Sequence, residues 1–332
     1  MPADLVRKHQ RMSESAFVFL RGTFYRWMQL WPRHCAKLDE APAVIGVGDL
    51  HLEYFGTWRD EDNRRVWGGN DVDEACKVPY TLDLVRLATS ALLAIREGHF
   101  AITGRSACSA ILDGYASSID RGGFPLIIDR QSRVGGIVQS LRRDAGRYWA
   151  ALRSFPPATG RMPRKKLLAQ MPDPNAPCTI VHRIAGVGSL GRQRFVAIAK
   201  DGDTFVAREA KALVPSAAAW AREDTHPKIH VKDLLEDAVR ARDPSFVVRG
   251  RWMIRRLAPD CGRIELSDLP AERDELKLLR AMGWETANLH LGSRRRRIAK
   301  HLDRQKHRWL EAAAEEMAAA TTDDFRAFTA SR

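Results

Sequence analysis

TIVHRIAGVGSLGRQRFVAIAKDGDTFVAREAK, Thr179 to Lys211, is the stretch that decides the fold. It contains a GxGxxG, Gly186-Val187-Gly188-Ser189-Leu190-Gly191. A dinucleotide fingerprint needs these glycines to open a helix. Here they are followed by RFVAIA and TFVAREA, which alternate in the period of strands, and the two runs are joined by KDGD, whose Asp-Gly is a hairpin signal. The stretch reads as a three-stranded antiparallel meander. Strand, glycine loop, strand, turn, strand is the order of the nucleotide-covering lobe of a protein kinase. A kinase carries a lysine on the third strand, and FVAREAK offers Arg208 for that slot or, less well placed, Lys211. Gly186, Gly188, Ser189, Gly191 and Arg208 are therefore the expected nucleotide-binding residues. The competing reading is a plain hairpin whose glycines only serve turns.

Upstream of this stretch, AVIGVG (Ala43 to Gly48) is a short β-branched run that ends in glycine and leads into a loop, Asp49 to Gly56. Asp49 and His51 in that loop are the expected catalytic pair, although Asp and His also close turns through their own side chains. Further on, GGNDVDEA places Asp71, Asp73 and Glu74 together. Clustered carboxylates repel unless a cation or solvent neutralises them, and oxygen ligands suit Mg²⁺. Asp71 and Asp73 are the expected metal ligands, against the alternative of a solvated acidic loop. Kinase-like phosphotransferases need a catalytic-loop Asp, a later Asp for Mg²⁺ and a glycine loop over the phosphates. Asp49, Asp71 and residues 186–191 supply them, with the catalytic and metal segments ahead of the glycine loop. That order implies a circular permutation.

Helical periodicity covers Met12 to Trp31, the stretch after Pro79, Ser106 to Ser118, Gly136 to Ser154, Val231 to Arg242, Pro270 to Leu291 and Arg294 to Ala320, and a further strand is expected over Phe246 to Leu257. The sum is α+β: residues 1–155 and 259–332 form a large helical lobe and residues 171–258 a small antiparallel β lobe. Pro156 to Pro177 is proline-rich with a basic string, so residues 156–170 read as a surface linker.

The 332 residues are 45% hydrophobic, enough for a large buried core, and disorder is excluded as the dominant state. No window resembles a membrane span, the N-terminus lacks a signal-peptide core, and the five cysteines form no CxxC, so a cytoplasmic protein with reduced thiols is expected. The net charge of +13 favours anionic partners. Arg294 to Arg308 concentrates eight Arg and Lys against one Asp, which offers a possible docking face for an anionic partner or nucleic acid, or else a solvated helix face.

RMSESAFVFLRG, GDLHLEYFG, NDVDEA, LDLVRLATS, AGVGSLGRQRFVAIA, VAREA and ETANLHLGS, in this order, resemble the bacterial family called domain of unknown function 2252, which is grouped with the protein-kinase-like fold. The chain is also similar to the aminoglycoside-phosphotransferase pattern, in which an HGDxHxxN loop precedes IDF. The resemblance implies a permuted, two-lobed kinase-like fold with ATP and Mg²⁺ as cofactors. Asp49 would be the catalytic base, Asp71 a metal ligand, and Asp83 a structural Asp that ties the following helix to the catalytic loop. The implied activity is phosphotransfer to an unidentified hydroxyl acceptor, or AMP transfer with the same residues. Tyr54 stands where that pattern has a metal-binding Asn, and Arg208 where it has Lys. These departures leave a catalytically degenerate nucleotide binder as the alternative, with the basic 294–308 stretch as a third reading.

Overall fold

The computed structural model describes residues 2–128, 143–160, 162–188, 190–263, 265–269 and 274–331. Its strands are β1 (Ala43–Gly46), β2 (Phe55–Arg59), β3 (Arg65–Gly69), β4 (Cys76–Pro79), β5 (Leu126–Ile127), β6 (Cys178–His182), β7 (Arg194–Asp201), β8 (Thr204–Ala212), β9 (Val247–Arg249), β10 (Trp252–Leu257) and β11 (Gly262–Arg263). The expected meander forms as β6, β7 and β8, with Gly202-Asp203 as the two-residue turn between the last two. It is part of a five-stranded antiparallel sheet in the order β6-β7-β8-β10-β9. The single strand expected over 246–257 is instead a hairpin, because Gly250 turns the chain at φ +62.

Side chains alternate across this sheet. Phe195, Ala197, Ala199, Ala210, Ala212 and Ile254 fill one face, which Leu167 and Met171 cover. Val196, Ile198, Ala207 and Leu257 belong to the other face, against Trp149 and Leu152 of the helix Ala145–Arg153. The stretch expected as a linker is thus packed. Leu167 is fully buried, and the 156–158 segment bonds β6, with the Ala158 N–H donating to the Ile180 carbonyl and the His182 N–H to that of Pro156. Pro157 opposite Val181 is harmless there, since a sheet edge needs no N–H from it.

A second, larger core unites helices from both ends of the chain. The helix Tyr80–Arg96 is buried on every side from Tyr80 to Ala94, so its polar residues face neighbours and not water. The helices Gly104–Arg121 and Glu275–Leu302 approach backbone to backbone. A Cβ on Gly283 would lie 1.9 Å from the Ile111 carbonyl oxygen, and one on Gly114 1.9 Å from that of Arg280. The long helix runs without a break through Gly292, where a break was expected. Gly292 serves there as a point of contact with Asp237. Between helices lie the pair β1-β4 and the sheet β11-β2-β3-β5. The architecture is mixed α+β with small antiparallel sheets, as the periodicity predicts.

Candidate functional site

Asp49 leaves β1 through a tight loop that Asp83 holds. The Asp83 carboxylate accepts from the N–H of Val47 at 2.6 Å and of Gly48 at 3.0 Å, and it meets His290 Nε2 at 2.9 Å. The tie implied for Asp83 is therefore present, and His290 adds a contact from the long C-terminal helix. Asp49 pairs with Arg86, a fully buried guanidinium that lies over the rings of Phe24 and Trp27 and also bonds the Leu20 carbonyl. Burial pushes the Asp49 carboxyl above its ordinary value, against the pull of Arg86.

β2 and β3 form a hairpin that carries the chain from Asp49 to Asp71. Lys211 Nζ, fully buried on β8, lies 3.1 Å from Asp71 Oδ1 and 2.7 Å from Asp73 Oδ2. Arg192, just beyond the glycine loop, lies 2.6 Å from Asp73 and 2.5 Å from Glu74. Glu74 also accepts from the Ser216 hydroxyl and the Ala217 N–H. Burial would raise the Asp71 carboxyl, yet Lys211, Arg255 and Arg194 hold it well below the usual range. Burial and the charge of Asp71 push Asp73 up to about 6. The repulsion that the acidic loop implied is thus answered by two protein cations.

The glycine loop closes over this centre. A Cβ on Gly188 would sit 3.3 Å from Asp49 Oδ2 and 3.1 Å from the Arg21 carbonyl oxygen. Val187 packs with Met12 and Phe19. A small cavity of about 30 Å³ is lined by Asp49, His51, Asp71, Asp73, Gly186 and Gly188, among others. Gly191 turns the loop back at φ +91 without lining this cavity, and Ser189 lies outside the described residues. His51 is buried with its Nδ1 unpartnered, and burial, with Arg21, Arg263 and Arg86 nearby, drives it well below the usual imidazole range, so it is neutral.

Two expected residues stand differently. In strand register Arg208 is opposite Arg256, on the face turned away from Glu209 and Lys211, and it bonds the Ala207 carbonyl. Of the two third-strand cations, Lys211 is the one that reaches the acidic loop. Asp73 takes both Lys211 and Arg192 at Oδ2, so a metal there would meet only Oδ1. Asp71, with 38% of its side chain exposed and facing both this cavity and a larger cleft beside it, fits one. Among the described residues no three His, Cys, Asp or Glu are grouped to hold a metal ion. A single carboxylate suits Mg²⁺ that arrives with phosphates and keeps its waters. Tyr54 is buried with its hydroxyl unpartnered, and burial raises its phenol well above 10, so it supplies no ionised ligand.

A larger cleft, of about 110 Å³, adjoins the centre through Asp71, Gly186 and Arg263. In the 294–308 stretch, Arg295 bonds the Ile119 and Asp120 carbonyls at the end of a helix, and Arg308 pairs with Glu311. Arg296, Arg297, Lys300, Arg304 and Lys306 are exposed. The described cysteines are all unbridged, four of them buried. Among the described residues no helix is long and apolar enough to cross a membrane.

A family model described as an uncharacterized protein conserved in bacteria (DUF2252) matches residues 1–125, and this match supports the family resemblance read from the motifs. The matched segment holds Asp49, His51, Asp71, Asp73, Asp83 and Arg86, but neither the glycine loop nor Lys211. No curated protein and no solved structure matches the chain.

Proposed function

We propose that the protein is a kinase-like phosphotransferase in permuted order, with ATP as phosphate donor. The observation that carries this reading is Lys211 bridging Asp71 and Asp73 beside Asp49 and beneath Gly188, four segments distant in sequence at one point. A kinase places phosphates with a third-strand lysine and a metal-binding Asp; here Lys211, on the third strand of a sheet ordered β6-β7-β8-β10-β9, reaches the acidic loop directly, where a kinase lysine pairs with a helix Glu. A Mg²⁺ accompanying the nucleotide would neutralise phosphate charge at Asp71.

The chain's own groups divide the remaining work. The glycine-loop N–H groups and Lys211 would hold the donor phosphates. Asp49 would orient the acceptor hydroxyl and take its proton, which its raised proton affinity favours. Neutral His51, facing the same cavity with a free ring nitrogen, would hydrogen-bond the acceptor. Arg86 fixes the Asp49 carboxylate. The expected outcome for Asp49→Asn is loss of γ-phosphate release from ATP by at least about a hundredfold, with nucleotide binding kept. Equal turnover in the variant would remove Asp49 from the chemistry. Loss of binding would make it structural.

A second reading, nucleotide binding without transfer, draws on the Asp49–Arg86 pair, which occupies one carboxylate oxygen. Failure of wild-type protein to release phosphate while binding ATP would select it.

A further inference from the structure

The cleft beside Asp71 has a charge pattern that the nucleotide reading does not account for. Eight arginines line it against three carboxylates, Asp71, Asp243 and Glu265. Each of those carboxylates is already engaged: Asp71 by Lys211, Asp243 by Ser245, and Glu265 by Arg263. Behind the lining, one fully buried carboxylate, Glu209, serves three guanidiniums, Arg183 at 2.5 Å, Arg255 at 2.9 Å and Arg194 at 3.4 Å. Arg240 makes no close ion pair among the described residues, though its charge reaches buried Glu285, and its guanidinium lies 4.5 Å over the ring of Trp58. That face of Trp58 is therefore covered by a cation.

Arginines gathered in a concave site with too few carboxylates create a positive potential that an anion relieves, and the planar guanidinium matches phosphate oxygens two at a time. We infer that this cleft binds a small polyphosphorylated molecule, with its phosphates along Arg183, Arg255 and Arg240 and one end at Gly186. The inference deepens the phosphotransfer reading by naming the chemistry of the cleft's occupant, and it holds equally for a protein that only binds.

The test is calorimetric titration of the full chain with sodium tripolyphosphate, without Mg²⁺ and at low salt, beside inorganic phosphate. Tripolyphosphate is expected to bind at least about tenfold tighter than phosphate, with affinity that falls as salt rises. Arg183→Gln, which leaves Glu209 with Arg255 and Arg194, and Arg240→Gln, which leaves Glu285 its Gly69 and Asn288 hydrogen bonds, are each expected to weaken it about tenfold. Unfolding curves check that both variants fold. Arg296→Gln with Arg297→Gln, on the exposed helix, is expected to leave binding unchanged. Tripolyphosphate that binds no better than phosphate, or that responds only to the Arg296 and Arg297 changes, overturns the proposal. Tripolyphosphate binding without any ATP binding would uphold it while removing the nucleotide reading. ATP binding without tripolyphosphate binding would do the reverse.

Discussion

The acidic loop at Asp71 to Glu74 and the arginine-lined cleft beside it meet at Asp71 and handle charge in opposite ways. In the loop every carboxylate has a protein cation, Lys211 or Arg192, and the partners come from segments far away in sequence. In the cleft cations outnumber carboxylates, and the carboxylates present are already bonded. A balanced cluster holds its own geometry without a ligand. An unbalanced one stores a binding preference.

The same contrast sets the largest expected effect. Arg86 and Asp49 are a balanced pair with one member fully buried, so Arg86→Met leaves a carboxylate uncompensated. It is expected to cost about 3–5 kcal/mol in urea unfolding. Adding Asp49→Asn should return part of that loss, because removing both charges costs less than removing one. Strict additivity of the two changes would show that the pair is not coupled.

A smaller effect comes from Glu285, which accepts from the Gly69 N–H at 3.1 Å and from Asn288 at 2.9 Å beneath β3. Burial pushes its carboxyl up to about 7. A folded-state value above the unfolded one means the unfolded chain releases the proton first. Stability is therefore full below about pH 4.5 and falls as pH rises towards 7, by about 3 kcal/mol from this group. Glu285→Gln is expected to flatten that fall in unfolding midpoints taken from pH 5 to 7.5. An unchanged slope would show that Glu285 does not titrate there.

How much of this was legible in the sequence follows from the same physics. The meander, its Asp-Gly turn and the helical character of both ends were readable, because period and turn chemistry act locally, although the break between the last two helices falls at 303–308 and not at 292–293. Asp49, Asp71 and Gly188 were named from spacing, and the structure brings them together. Local sequence places Lys211 second to Arg208, although parity holds the signal: Arg194, Glu209 and Lys211 share one face, while Phe195, Ala197, Ala199, Ala210 and Ala212 share the other. Arg208 is the exception that misled. Arg86 was missed because a lone Arg in an apolar helix reads as its water-facing side. Only the packing of Phe24 and Trp27 against it reveals a buried cation. Arg192 and the cleft arginines lie on separate strands and loops, so no local pattern gathers them.

The central claim is that Asp71, Lys211 and the glycine loop form one site for nucleotide phosphates. The most direct measurement is the thermal unfolding midpoint with ATP and Mg²⁺, separately and together, in wild type and Asp71→Asn. ATP with Mg²⁺ at about 100 times its Kd should add about 2.7 kcal/mol, a rise of several degrees, and Asp71→Asn should remove the part that depends on Mg²⁺. No shift under any condition, or one that Asp71→Asn leaves intact, would contradict it.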